Sequence, residues 1–279
     1  MILKEKANKM DLIKEKINKM DFITDVVLRT NDPIEAAKTV RETLQKYKVI
    51  KVIPEWYLGD LRAFYDAFTD NIGEPLSIGE DFTKGGATTG EKWLEIRYDV
   101  DIPDMAAYRH SKNAQPLHTD GAYSHDNASD IFIFYSINKA PKGGATTFVD
   151  GPILVEYMEE NAPELLDKLK RSDKIKFSKA EQYREEKIID IKEDGQIKFN
   201  YNYYCIDPNE TEEHKALNQE FFDFLQNYVA HSHMAEKVTL NPGEAVLWWD
   251  DLVLHGRTSY DAKKTNDRFI LKTGFNWKD

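Results

Sequence analysis

Two apolar spacings alternate along the sequence, and each marks a kind of element. Behind Asp32, Pro33 and Glu35 stand an N-cap, a first-turn proline and an acidic first turn, which predicts a helix running to about Tyr47. Val49, Ile50, Val52 and Ile53 form a short β-branched run and read as a strand. Leu58, Leu61, Phe64, Tyr65 and Phe68 recur at helical spacing, so residues 54–71 are expected to be helical, with Gly73 as the stop. Residues 93–98 alternate as a strand. Residues 131–137 (Ile-Phe-Ile-Phe-Tyr-Ser-Ile) are apolar on both parities, the pattern of a strand covered on both faces. A turn at 141–144 leads to a strand at 146–149, and residues 152–171 read as one helix.

The remaining third is dominated by period-two segments. Residues 188–191 and 197–201 flank Asp194-Gly195, a hairpin turn signal. A helix is expected from His214 to about Val229, then strands at 245–249, 253–257 and 269–277. Many short strands with a few helices predict a mainly β fold with α decoration: a double-stranded β-helix, or jelly roll of the cupin kind, flanked by helices. No dinucleotide or P-loop glycine pattern is present. Residues 1–21 carry a charged repeat (Lys4–Asp11 recurring as Lys14–Asp21) and read as an extension, helical or disordered, with one domain over 22–279.

Composition narrows the classes. Of 279 residues, 41 % are hydrophobic and 31 % charged, enough for a packed core and too much for disorder. The net charge of −11 argues against a nucleic-acid surface, and no apolar run is long enough to span a membrane. A single cysteine, Cys205, excludes an internal disulfide and a cysteine-based zinc site. With no secretory h-region, a cytoplasmic location is expected. Oligomeric state stays open, a homodimer included.

Seven histidines are the candidate ligands. His118-Thr119-Asp120 on an extended segment places both side chains on one face, and a distant second histidine completes a two-histidine, one-carboxylate triad for Fe(II) with open coordination positions. Taken alone, the pattern equally fits a hydrogen-bonded loop histidine. His231-Ser232-His233 has no carboxylate at ligand spacing and reads as a surface pair; His110 and His125 lack support as ligands, although His110 lies close enough in sequence to touch a substrate.

The company of this motif is more specific. His118-Thr119-Asp120, Gly143-Gly144-Ala145-Thr146, His255-Gly256-Arg257 and Arg268 follow one another in an order that resembles the Fe(II)/2-oxoglutarate oxygenases of the taurine dioxygenase and clavaminate synthase type. The resemblance spans about residues 90–277. It implies His118, Asp120 and His255 as metal ligands and catalytic centre. It also implies Thr146 and Arg268 as the clamp on the far carboxylate of 2-oxoglutarate, and O2 as co-reactant. A planar guanidinium with a hydroxyl suits such a carboxylate; the alternative for Arg268 is a surface pair with Asp267. Arg257 is expected to support the site, and Trp248 and Trp249 to pack.

The stretches 93–99 and 115–118 are similar to a small group of free-lysine hydroxylases and halogenases, in which the halogenases carry Gly where this protein has Asp120. The resemblance therefore implies hydroxylation of a free amino acid, with L-lysine first, and ornithine, arginine or another small amine as alternatives. A non-catalytic jelly-roll binder is the competing class. Glu95 and Arg97 share one strand face with opposite charge, so they either hold the substrate's charged ends or pair with each other. Trp277 either covers the substrate or packs in the core. The glycine-rich stretch 79–92 is a candidate lid.

Overall fold

A computed structural model describes residues 20–81, 87–102, 108–124, 129–179 and 181–278. The repeat at 1–19, His125 and the centre of the candidate lid (82–86) lie outside them. Two sheets face each other, and helices cover their outer faces. The strands of these sheets, in sequence order, are β1 (Asp21–Leu28), β2 (Tyr47–Pro54), β3 (Glu74–Pro75), β4 (Leu94–Arg97), β5 (Gln115–His118), β6 (Ile131–Asn138), β7 (Thr146–Asp150), β8 (Glu236–Val238), β9 (Ala245–Trp249), β10 (Val253–Arg257) and β11 (Phe269–Asn276). The larger, seven-stranded sheet runs β1-β2-β9-β6-β11-β3, with β4 also on β11, and the four-stranded sheet runs β8-β7-β10-β5. This is the jelly-roll arrangement expected from the strand pattern.

The helices are α1 (Pro33–Leu44), α2 (Leu61–Ile72), α3 (Gly151–Asn161), α4 (Pro163–Arg171) and α5 (Glu212–Phe224). The N-cap at Asp32 is present: its carboxylate accepts from Ile34 N. The helix expected over 54–71 begins seven residues later, at Leu61. Pro54 closes β2, Gly59 turns the backbone at φ +72°, and Asp60 caps the helix by accepting from Arg62 N and Ala63 N. The single helix expected over 152–171 is two: Ala162 leaves the helical region (φ −148°, ψ 51°) in front of Pro163, whose ring disfavours a helical predecessor. A hairpin at Ile175–Lys179 and Gln182–Glu186, which the sequence pattern did not show, adds a ribbon outside the sheets. The Asp194-Gly195 turn joins Ile189–Ile191 to Ile197–Phe199, with Gly195 at φ +83°.

Strand parity divides the core. On β6, Ile131, Ile133 and Tyr135 face α1 and α2, whereas Phe132 and Phe134 point between the sheets. The same alternation sends Leu247 outward and Trp248 inward on β9. Trp248 is fully buried among Phe132, Phe134 and Phe148, and burial alone of so large an apolar group contributes about 2–3 kcal/mol. The inter-sheet space thus has an aromatic floor at one end.

Candidate metal and cosubstrate site

β5 and β10 are antiparallel neighbours, and their register sets His118 directly opposite His255. The imidazoles lie 4.3 Å apart by ring centroid. β7 sets Phe148 opposite His255 and Thr146 opposite Arg257, so all of these share the inner face of the small sheet. Past His118 the backbone turns, and the turn carries Asp120 back between the rings. One Asp120 oxygen is 3.7 Å from His118 Nε2, and the other is 3.4 Å from His255 Nε2. One ligand atom from each of the three residues falls within 4.8 Å of the others. Ligands at about 2.1 Å from one ion stand about 3 Å apart when adjacent, so a small inward adjustment fits the set to a single divalent metal.

The protonation pattern suits that use. His118 Nδ1 lies 2.8 Å from the Pro116 carbonyl, to which it donates, so the lone pair is on Nε2, where the Gln115 amide meets it at 3.1 Å. Burial, followed by the nearby His118, pushes His255 down to about 4 and keeps it neutral at ordinary pH. Burial would raise Asp120, yet the ammonium of Lys272 and the two histidines outweigh it and hold the carboxyl well below its usual range. The triad therefore presents two imidazoles, that of His255 held neutral, and a carboxylate held as an anion, the donor set a divalent iron takes.

Arg268 reaches into the inter-sheet space from the other sheet, only 3 % exposed. Its Nη1 has no hydrogen-bond partner, and burial together with Arg257 lowers it to about 9. The expected alternative, a pair with Asp267, gives way to another arrangement: Asp267 accepts from the backbone of Lys263 and Lys264. Its guanidinium lies 5.3 Å from the Tyr260 ring centroid but faces no carboxylate among the described residues. A buried cation without a counter-ion is costly, so an anion entering the cavity it shares with Thr146, Ser136, Asn138 and Val238 would offset that cost. The two glycines before Thr146 explain themselves here. Gly143 and Gly144 have φ of +76° and +75°, and a Cβ on Gly144 would meet Arg268 Nε at 3.1 Å. Arg257 is a support, as expected: its Nη2 donates to the Ser111 and Asn113 carbonyls at 3.1 and 2.7 Å.

The expected substrate residues are elsewhere. β4 pairs with β11 so that Glu95 opposes Leu271 and Arg97 opposes Phe269, while Ile96 opposes Ile270. Opposed residues share a face, and Ile270 is the inward one, so Glu95 and Arg97 point away from the triad. They pair with each other at 2.8 Å, and Arg97 also pairs with Asp99. Trp277 packs on Trp249 and under Arg41, on the helix-covered side. His231 and His233 are not buried, and His110 is buried with Nδ1 3.1 Å from the Arg97 carbonyl.

Sequence reasoning missed Lys272, Asp250 and Gln115. Lys272 is 7 % exposed, its Nζ 2.6 Å from Asp120 Oδ2 and 4.3 Å from the Phe132 ring centroid. Alternation from Arg268 through Ile270 was signal enough to find it. Asp250 had no local signal, because its role depends on β9 ending beside the Asp120 turn.

A jelly roll holding two histidines, a carboxylate and a buried arginine that faces no carboxylate among the described residues defines this as a dioxygenase of the non-haem type. The chain belongs to the taurine catabolism dioxygenase TauD, TfdA family, whose profile matches residues 15–273. Among solved structures, the fold is similar to an asparagine oxygenase complexed with Fe(II), 2S,3S-3-hydroxyasparagine and succinate (TM-score 0.65, 13 % identity, covering 91 % of this protein and 93 % of that one). It is similar also to the non-heme iron oxygenase OrfP in complex with Fe and alpha-ketoglutaric acid (0.64, 12 %, 92 % and 94 %). A taurine dioxygenase from Burkholderia xenovorans gives 0.60 at 14 % identity, over 91 % and 88 %. A search of curated proteins by sequence gave no match.

Proposed function

We propose that the protein is an Fe(II)/2-oxoglutarate-dependent dioxygenase that hydroxylates an unactivated aliphatic carbon in the side group of a free amino acid, with L-lysine as first candidate. The observation that carries this reading is the pairing of two preformed halves: the His118-Asp120-His255 cluster on one sheet and, on the other, the buried Arg268 guanidinium, whose Nη1 has no hydrogen-bond partner. His118, Asp120 and His255 would hold Fe(II); Thr146 and Arg268 would take the far carboxylate of 2-oxoglutarate. Bound iron supplies the oxidising chemistry, in which one O2 and one 2-oxoglutarate yield hydroxylated product, succinate and CO2.

The protein's own residues bind, orient and exclude. Phe132 lies against Lys272 and Phe148 and Trp248 lie against His255, and this apolar surrounding strengthens the ionic contacts of the triad. Asp120 would serve as the carboxylate ligand that the similar halogenases lack, so the expected product is an alcohol and not a halide. Lys272 is the buried cation beside the triad, and once a metal shares the charge of Asp120 its ammonium is available to a substrate carboxylate. Two of the similar structures, the asparagine oxygenase and an OrfP mutant, hold 2S,3S-3-hydroxyasparagine and (3S)-hydroxy-L-Arg respectively, which supports an amino acid as substrate class. Lysine itself rests on the similarity at 93–99 and 115–118.

The test is a panel of lysine, ornithine, arginine, leucine, asparagine and taurine with Fe(II), ascorbate and 2-oxoglutarate, read by product mass. A +16 product from a basic amino acid is expected. Turnover of taurine alone would remove the amino-acid reading, and turnover of leucine or asparagine alone would remove the basic one.

A further inference from the structure

We propose that Asp250 is a positioning residue that holds the Asp120 turn and the His255 ring in one alignment for metal binding; this rests on the metal reading above. Asp250 closes β9 and is 4 % exposed. Its Oδ1 accepts from Asp120 N at 3.1 Å and its Oδ2 from Gly121 N at 3.0 Å, so one carboxylate clamps the backbone of a metal-ligand residue and of the residue after it. Trp248 Nε1 donates to the same Oδ1 at 3.2 Å and fixes the carboxylate from the aromatic side. The backbone N–H of Asp250 is itself anchored, donating to the Asp130 carbonyl at 3.0 Å.

The second half of the role concerns His255. The other imidazole, His118, has the nitrogen remote from the triad satisfied by a backbone carbonyl. His255 Nδ1 is buried with no hydrogen-bond partner, and the acceptor it faces is Asp250 Oδ1 at 3.9 Å. The ring plane is limited by Trp248, 4.9 Å away by centroid, and by Phe148 at 6.3 Å. A proton on Nδ1 directed at Asp250 leaves the lone pair on Nε2, the nitrogen beside Asp120. A shift of the ring by less than about 1 Å completes the hydrogen bond, as is common when a site tightens around its ligand. Asp250 thus connects two ligands that come from different strands and are distant in sequence, and it makes no hydrogen bond or ion pair with Thr146 or Arg268 among the described residues.

The experiment compares wild type, Asp250→Asn, Asp250→Ala and His118→Ala as full-length protein. It measures Co(II) affinity by competition with a chromogenic chelator, the visible absorption of the Co(II) form, and the melting temperature of the metal-free protein. Asp250→Asn keeps the shape but turns an N–H towards one of the two backbone donors and removes the anion facing His255. We expect Co(II) affinity to fall about 10- to 100-fold, the typical effect of losing such a partner, with altered Co(II) absorption and an unchanged fold. Should Asp250→Ala not fold, Asp250→Asn decides. Affinity within twofold of wild type and an identical spectrum in Asp250→Asn would overturn the proposal while leaving the metal site standing. Wild type binding no better than His118→Ala would instead remove the metal reading beneath it.

Discussion

At the scale of single residues, the site depends on two buried cations, Arg268 and Lys272. Arg268 is buried with no hydrogen-bond partner for Nη1, so Arg268→Met should raise the half-saturating 2-oxoglutarate concentration at least about 30-fold, the equivalent of ~2 kcal/mol for a lost buried charge contact. Metal affinity, measured alongside, should hold, because no triad contact is touched. Lys272→Met should act on the other ligand. The amino-acid KM rises about tenfold or more while the 2-oxoglutarate requirement changes little, as read from initial rates with each reactant varied in turn. Equal effects on both would show that Lys272 serves Asp120 alone. These two positions also mark how far the sequence could be read. Arg268 was legible because a short set of motifs surrounds it. Lys272 was legible by strand alternation, two inward positions further on. For Glu95 and Arg97 the sequence left two readings open, and the mutual pair is the one observed; their face is set by the register against β11, which no local pattern reveals.

At the scale of elements, turns decide where the chemistry sits. Gly143 and Gly144 both lie at positive φ, and the second lets Arg268 pass. Gly144→Ala should cost about 1–2 kcal/mol from the left-handed backbone alone and should also weaken 2-oxoglutarate binding by displacing the guanidinium. Calorimetry of unfolding and a cosubstrate titration on the same sample check both effects, and a variant that lost stability but kept its cosubstrate affinity would separate the turn from the clamp. Where sequence spacing misjudged elements, backbone rules prevailed over apolar periodicity. Gly59 and Asp60 delayed α2, and Pro163 split α3 from α4. Strands did better, since β6, β9 and β10 are buried on both sides and their apolar runs have clear limits.

At the scale of the whole molecule, the two sheets each supply half of the site, so activity should require the sheet sandwich and nothing before it. A truncated protein beginning at Met20 is expected to keep iron binding and turnover, since every residue assigned a role lies between Gln115 and Lys272. Loss of either function in a soluble, folded truncation would give residues 1–19 a part in the site or in assembly. The chemistry is likewise expected to be insensitive to halide: in high chloride, product mass should show +16 only, because Asp120 would supply the carboxylate ligand whose loss admits halide. The jelly roll and the triad were both legible from the sequence, the first by strand spacing and the second by motif order. Long-range pairings such as His118 opposite His255 and Asp250 beneath the Asp120 turn were not, for they exist only once β5, β9 and β10 meet.

The most direct test of the central claim is a reaction under 18O2 with Fe(II), 2-oxoglutarate and the best amino acid from the panel, with both products weighed by mass spectrometry. The account predicts one 18O atom in succinate and one in the hydroxylated amino acid, in equal amounts, with neither formed by His118→Ala. Succinate released at the same rate with and without every amino acid tested, and no labelled amino-acid product, would contradict it.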